Sequence, residues 1–340
     1  MSAVDLTTRY LGLDLTSPLI AAASPLSRSL DNARQLEDAG AGALVMYSLF
    51  EEELTHQENA TARFMIDQGI GFGEADSFLP FHDSAFQHGL EQYLDQVRTL
   101  KQALTIPVIA SLNGVSLDGW IEHGRLLCEA GADALELNVY HLASDLDESG
   151  EAVERRYLEL LTALKAEVTV PVAMKLSPYF SSPGHFIRRL AEAKADGVVL
   201  FNRFYQPDID LDHQQVVSQL SRSRPDEIRL ALRWLALLYR KTPLTLAGVG
   251  GVHSGADALK LLLAGADAVQ LCSALLVQGP EYLATVKQQL VEQLALFDSD
   301  CLADVIGRFS QRQCHSPEVF ERANYIHLID SYNPAAGVHL

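Results

Sequence analysis

One short pattern recurs along this chain, and it constrains the fold more than any other feature. Gly40-Ala41-Gly42-Ala43-Leu44-Val45, Gly131-Ala132-Asp133-Ala134-Leu135-Glu136 and Gly265-Ala266-Asp267-Ala268-Val269-Gln270 are near copies, and Ala195-Asp196-Gly197-Val198-Val199 is a variant. In each, a helix-like stretch precedes the small residues and an apolar run follows. Glycine at a helix C-terminus permits the left-handed turn that ends it, and the apolar run then reads as a buried parallel strand. A second pattern alternates with the first: Ser17-Pro18-Leu19-Ile20-Ala21, Ile106-Pro107-Val108-Ile109-Ala110, Val170-Pro171-Val172-Ala173-Met174 and Thr242-Pro243-Leu244-Thr245-Leu246. Proline is tolerated where a strand begins, since it breaks no interior ladder bond there.

In order, these runs predict strands at about 19–23, 43–47, 107–111, 134–138, 172–176, 198–201, 244–247 and 268–272. Helical patterns lie between them, among them Asp31 to Ala39, Gly119 to Ala130, Glu154 to Glu167, Gly184 to Ala193 and Gly255 to Ala264. Strand alternating with helix implies parallel pairing, and eight such units imply an α/β fold of the (βα)8 TIM-barrel type. A doubly wound open sheet is the rival, but the first strand is not followed by the GxGxxG turn that a dinucleotide-binding version needs. Residues 1–340 read as one barrel domain, with a tail that is helical in pattern from about 297 and that suits either oligomerisation or packing on the barrel. Insertions follow strands two and six, at about Phe50 to Thr105 and Arg203 to Arg229, and the first contains Gly69-Ile70-Gly71-Phe72-Gly73. Both leave the C-terminal ends of strands, the face on which barrels build active sites, and long loops there often serve as lids.

Composition narrows the function. With 26 Lys plus Arg against 44 Asp plus Glu, the formal net charge is −18, which argues against a general nucleic-acid or anionic-membrane binder. The four cysteines, Cys128, Cys272, Cys301 and Cys314, have no CxxC spacing, so neither a disulfide scaffold, a thiolate metal site nor an iron–sulfur centre is expected, and a reduced, cytoplasmic setting is. Residues 1–10 have no apolar core of a signal peptide, and no apolar run reaches the ~18 residues of a membrane span.

Polar residues at the C-terminal ends of the strands carry the chemistry. They are Ser24, Tyr47, Ser48, Ser111, Asn113, Asn138, Lys175 and Asn202. Side-chain amides both donate and accept, so they suit a planar heterocycle with alternating carbonyl and N–H edges; capping of the following turns is the plainer alternative. Lys175 interrupts an apolar strand, where an ammonium needs an anion or polar partner to offset its desolvation. It serves either as a nucleophile, as a fixed cation beside a developing anion, or as the partner of a structural carboxylate such as Glu136. Gly248-Val249-Gly250-Gly251-Val252-His253-Ser254-Gly255 leads from strand seven into a helix, and Cys272-Ser273-Ala274 follows strand eight. Glycine backbone and a helix N-terminus suit a phosphate group, in the part of the barrel where phosphates commonly bind.

These segments together resemble the dihydroorotate dehydrogenases: Ser17 to Ser24, Glu136-Leu137-Asn138, Lys175-Leu176-Ser177-Pro178, Asn202, Gly248-Val249-Gly250-Gly251 and Val269-Gln270-Leu271, spread over residues 5 to 290. The resemblance implies an FMN-containing barrel of pyrimidine metabolism. It places Lys175 at the flavin ring, Ala23 and Ser24 along the isoalloxazine, and Gly250, Gly251 and Ser273 at the FMN phosphate. It sets Asn138 and Asn202 facing flavin or substrate, with Tyr47 and Asn113 on the substrate side. The substrate side departs from the family. Tyr47 stands where the family has a lysine, His141 falls at the position of the family's cysteine base, and the family's Asn-rich loop has no clear counterpart in Phe72 to Ser77. His141 is thus the expected base and Tyr140 the second choice. The implied activity is oxidation of dihydroorotate or a related small cyclic carbonyl compound at a CH–CH bond, with electrons passed to a soluble acceptor or a partner protein, no membrane or nucleic acid involved, and a homodimer by analogy. The alternatives are a flavoprotein that has lost this chemistry and serves electron transfer or binding, and a flavin-free phosphate-binding isomerase or lyase.

Overall fold

A two-stranded hairpin opens the chain, β1 (Thr8–Tyr10) and β2 (Leu13–Leu15), turning through Leu11 and Gly12, both at positive φ as the tight turn of a twisted hairpin demands. The eight apolar runs follow as β3 (Leu19–Ala21), β4 (Ala43–Phe50), β5 (Val108–Asn113), β6 (Ala134–Asn138), β7 (Val172–Leu176), β8 (Gly197–Leu200), β11 (Thr245–Val249) and β12 (Ala268–Leu271). In the computed structural model, which describes residues 4–50, 84–113, 117–203, 206–218 and 221–321, they close one barrel in the order β11-β12-β3-β4-β5-β6-β7-β8, with β8 pairing back to β11 and every pair parallel. Closure excludes the open sheet.

The recurring junction has a structural cause that its spelling alone did not disclose. In the three copies that carry one, the aspartate reaches back to the start of the preceding strand, while the first copy has Gly42 at that place. Asp133 Oδ2 accepts from Val108 N–H at 2.7 Å, Asp196 Oδ2 from Val172 N–H at 2.8 Å, and Asp267 Oδ2 from Leu246 N–H at 2.7 Å. The first two are also paired with a lysine at 2.7 Å, Lys101 and Lys165. Asp267 has no cationic partner among the described residues, is mostly buried, and its carboxyl is pushed up to about 6 by that burial.

Helices α1 (Leu30–Asp38), α2 (Ser84–Ala103), α3 (Leu117–Glu129), α4 (Gly150–Glu167), α5 (Pro183–Glu192), α6 (Ile228–Leu238), α7 (Gly255–Ala264), α8 (Ser273–Gln278) and α9 (Tyr282–Leu294) account for the α-helices among the described residues. Ser29, Ser149 and Ser254 cap α1, α4 and α7 by accepting a first-turn backbone N–H. The helices bury Leu-rich faces against the outside of the barrel, in one core that includes Leu36, Val97, Leu161, Phe186, Leu235, Leu261 and Leu290. No helix among the described residues is long and apolar enough to cross a membrane.

The barrel interior is a second core. Ala43, Ala134, Ala173, Ala247 and Ala268 line its lower end, and these small side chains leave room that Tyr10, Leu11 and Leu15 of the hairpin fill. The Tyr10 hydroxyl is buried there without a hydrogen-bond partner among the described residues, and burial, with the Glu136 carboxylate second, raises its ionisation well above the ordinary phenol range. Strand pleating then dictates what lies above, since alternate residues share a face. Two positions beyond Ala134, Ala173 and Ala268 come Glu136, Lys175 and Gln270.

The connection after β8 forms an antiparallel hairpin, β9 (Pro207–Asp210) and β10 (Gln215–Ser218), and that after β4 ends in α2. Gly69 to Gly73 lies outside the described residues. The tail differs from its helical pattern. Over residues 297–321 it has only single 3-10 turns, because its backbone N–H groups bond outward to the barrel helices: Gly307 to Leu262 O, Phe309 to Leu263 O and Gln311 to Ala236 O. Asp298, at φ 51°, and Pro317 interrupt any longer helix. Over these residues the tail serves packing.

Candidate active site

The upper interior of the barrel holds a charged and polar triplet. Glu136 is 1% exposed, Gln270 1% and Lys175 7%. Lys175 Nζ donates to Glu136 Oε1 at 3.1 Å, and Gln270 Nε2 donates to Glu136 Oε2 at 2.5 Å. The carboxylate is the anion that a buried ammonium requires, so Lys175 has the structural partner considered for it. Gln270 cannot turn its amide over, since that would set oxygen against carboxylate. Its Oε1 is therefore fixed as an acceptor, buried and without a donor among the described residues.

A cleft of about 720 Å³ opens above this triplet, lined by Ala22, Ala23, Lys175, Gln270, Cys272 and Asn202 at its floor. Such a volume suits a small-molecule ligand of cofactor size. Burial raises the Cys272 thiol and the Lys175 ammonium pulls it the other way, with the net shift upward. The Asn202 amide donates to Asn138 Oδ1 at 2.5 Å, which joins the ends of β6 and β8 across the mouth.

The far end of the cleft is the turn after β11. Gly250 and Gly251 sit at φ 88° and 77°, a region that side chains disfavour. A Cβ on Gly251 would lie 2.7 Å from both Arg224 O and Ile228 N, while Gly250 faces open space. Ser273 begins α8 beside them, and its Oγ accepts from Ser223 N–H at 3.1 Å, leaving its own proton to donate. With the N-terminus of α7 behind, this end offers donors and partial positive charge to an anion. The donor set as a whole, an anion cradle at one end and an orphaned carbonyl beside an ammonium at the other, fits a phosphate-bearing ligand with a planar edge that carries N–H and C=O groups.

Of the residues expected from sequence, Ala23, Lys175, Asn202, Gly250, Gly251 and Ser273 line the cleft, and Asn138 is one hydrogen bond from it. Four others stand apart from its lining. The Ser24 carbonyl accepts from Ser27 Oγ at 3.0 Å in the turn after β3. Tyr47 packs edge-on against Tyr93 under the Arg28 guanidinium. Asn113 is buried at the end of β5. His141 Nε2, on the loop after β6, lies 2.8 Å from Glu148 Oε2 and 2.7 Å from Nη1 of Arg156 on α4, and Arg156 pairs with Glu148 at 2.7 Å. Sequence reasoning missed Gln270 as a site residue, although a lone polar residue in Val269-Gln270-Leu271 is the same signal that singled out Lys175. It also missed Arg203, Arg222 and Arg229, which line the cleft from the second insertion.

A family model described as dihydroorotate dehydrogenase matches residues 84–294. The chain is similar to the catalytic subunit of dihydroorotate dehydrogenase B (NAD(+)) from Thermoplasma acidophilum, 27% identical over 89% of this chain and 98% of that one. It is likewise similar to the NAD-dependent dihydropyrimidine dehydrogenase subunit PreA of Escherichia coli K12, 24% identical over 90% of this chain and 77% of that one. A putative dihydroorotate dehydrogenase A (fumarate) from Aeropyrum pernix is 27% identical over 90% of this chain and 98% of its own length.

Proposed function

This chain belongs to the dihydroorotate dehydrogenase family and is an oxidoreductase of that kind, and from that premise we propose that it is an FMN-dependent enzyme oxidising dihydroorotate or a related small cyclic carbonyl compound at a CH–CH bond. The observation that carries the proposal is the buried Glu136–Lys175–Gln270 triplet under a cleft whose other end is a glycine cradle. Bound FMN supplies a hydride acceptor. The residues of the chain do the rest. Gly250, Gly251 and Ser273 hold the phosphate by backbone and hydroxyl donors. Gln270 Oε1 would accept an N–H from a bound planar ring and so gain a donor. Lys175, aimed by its hydrogen bond to Glu136, would set a cationic side chain beside a bound ring. Asn138 and Asn202 orient the carbonyl and N–H edges of ring or substrate, and Ala23 allows a flat ring to approach the barrel wall.

Removal of hydride from one carbon calls for a base at its neighbour. His141, at the family's base position, is the proposed group, with a positioning role for Glu148, which lies 2.8 Å from its Nε2 and is itself paired with Arg156. Tyr47 and Asn113 are proposed for the substrate side. Two relatives bear names of subunits that act with NAD, which supports a soluble partner protein or acceptor for the electrons. Because His141 is tied to Glu148 and Arg156 outside the cleft lining, a second reading is a flavoprotein that keeps its cofactor and has left dihydroorotate chemistry.

The test is spectroscopic. The purified chain is expected to be yellow, and dihydroorotate or a dihydropyrimidine is expected to bleach it without oxygen. His141→Ala is expected to slow that bleaching by 100-fold or more, in the range of general-base losses. A yellow protein that neither compound bleaches favours the second reading, and a colourless protein that refuses FMN sinks both.

A further inference from the structure

The second insertion returns to the barrel through Ser221, Arg222, Ser223 and Arg224, and this short segment crosses the glycine cradle. Its backbone is tied on both sides of residue 222. Arg203 donates to the carbonyl of Ser221 and, at 3.0 Å, to its Oγ. Ser223 N–H donates to Ser273 Oγ at 3.1 Å, and Ser223 Oγ lies 3.1 Å from His253 Nε2. The Arg224 carbonyl covers Gly251 so closely that no Cβ fits between them.

The charges along the segment are otherwise committed. Arg203 pairs with Glu227 at 3.3 Å and Arg224 with Asp226 at 3.1 Å. Arg222 is the exception: its guanidinium makes no hydrogen bond or ion pair among the described residues. It lines the main cleft and also an adjoining one of about 420 Å³ formed with His253, Gln278 and Tyr282, so it stands where the two meet, next to the cradle. A guanidinium carries a planar fork of donors that matches two phosphate oxygens at once.

We propose that Ser221–Arg224 is a phosphate strap, with Arg222 the cation that closes over a phosphate resting on Gly250, Gly251 and Ser273. This rests on the FMN reading above and adds to it a residue supplied by the insertion rather than by the barrel. It makes the strap an element that distinguishes a flavin carrying a phosphate from one without.

The experiment is a titration of the flavin-stripped full chain with FMN and, separately, with riboflavin, followed by flavin fluorescence, in the parent, Arg222→Ala and Arg222→Lys. The alanine variant is expected to raise the Kd for FMN by about 10- to 100-fold, the range for losing a charge-assisted partner, and to leave riboflavin unchanged. Lysine is expected to restore part of the loss, since it returns the charge without the fork. Equal weakening toward both flavins shows a loosened loop and overturns the proposal, as does an unchanged Kd for FMN. A parent that takes up neither flavin overturns the FMN reading itself, and the strap with it.

Discussion

Asp267 offers the sharpest quantitative test of how the barrel is held together. It repeats the role of Asp133 and Asp196 but has no lysine, and its carboxyl is raised from 3.8 to about 6. A carboxyl whose folded value is raised keeps its proton more tightly in the native state. Its contribution is then fully present below about pH 4 and is lost as pH rises through about 6. A shift of roughly two units at 1.36 kcal/mol per unit amounts to about 3 kcal/mol between those limits. Asp267→Asn retains an oxygen for Leu246 N–H and cannot ionise. Relative to the parent it is expected to be of similar stability at pH 4 and up to about 3 kcal/mol more stable at pH 8. Urea unfolding of both proteins at several pH values measures the difference, and other titrating groups cancel in it. Asp133→Asn is the contrasting control, since it gives up the partly buried pair with Lys101, and it is expected to lose about 1 kcal/mol at pH 8. Parallel stability–pH curves for Asp267→Asn and the parent would refute the reasoning.

Three further outcomes follow from buried groups. Tyr10→Phe removes a hydroxyl buried without a partner and is expected to stabilise the fold by about 1 kcal/mol, read as a higher unfolding midpoint. Glu136→Ala leaves the Lys175 ammonium buried without its anion and is expected to cost about 3–5 kcal/mol in the same assay, with Glu136→Leu plus Lys175→Met recovering most of it. Gly251→Ala sets a Cβ against Arg224 O and Ile228 N at a positive φ; it is expected to abolish FMN uptake while the far-ultraviolet circular dichroism of the barrel persists.

The sequence disclosed the barrel because every strand is bounded by residues with one local job: a proline where the strand begins, small residues where the preceding helix ends. These are decisions of the backbone within a few positions, so they survive without tertiary knowledge. Lys175 was legible for a related reason, as a charge where an apolar side chain belongs, and Gln270 carries the same mark in a weaker form. Tyr47 and Asn113 were read from their order relative to strand ends, and His141 from the position of the family's base. Order does not say which way a side chain leaves the barrel, and the structure sets Tyr47 against Tyr93 and His141 against Glu148 and Arg156. The strap was illegible for a different cause. No periodicity marks Ser221 to Arg224, and its position depends on the path of the whole insertion. The tail's helical pattern failed because bonds to α6 and α7 compete successfully with local ones.

A last prediction separates the charge of the chain from the charge of its cleft. The net charge is −18, which by itself would repel FMN, and added salt would then tighten binding by screening the repulsion. The cleft is built the other way. Lys175, Arg203, Arg222 and Arg229 line it against Asp226 and Glu227, and with Arg203 and Glu227 paired, Lys175 matched by Glu136 and Arg229 interacting with Asp226, Arg222 remains to face an anion beside the glycine cradle. At physiological ionic strength the screening length is about 8 Å, shorter than the distance across a barrel, so a phosphate in the cradle responds to these neighbours and not to the distant acidic surface. The Kd for FMN is therefore expected to rise with salt, and the rise to be smaller in Arg222→Ala. Binding that tightens as salt is added would mean that the overall negative charge governs the encounter and that the cleft is not the cationic site described.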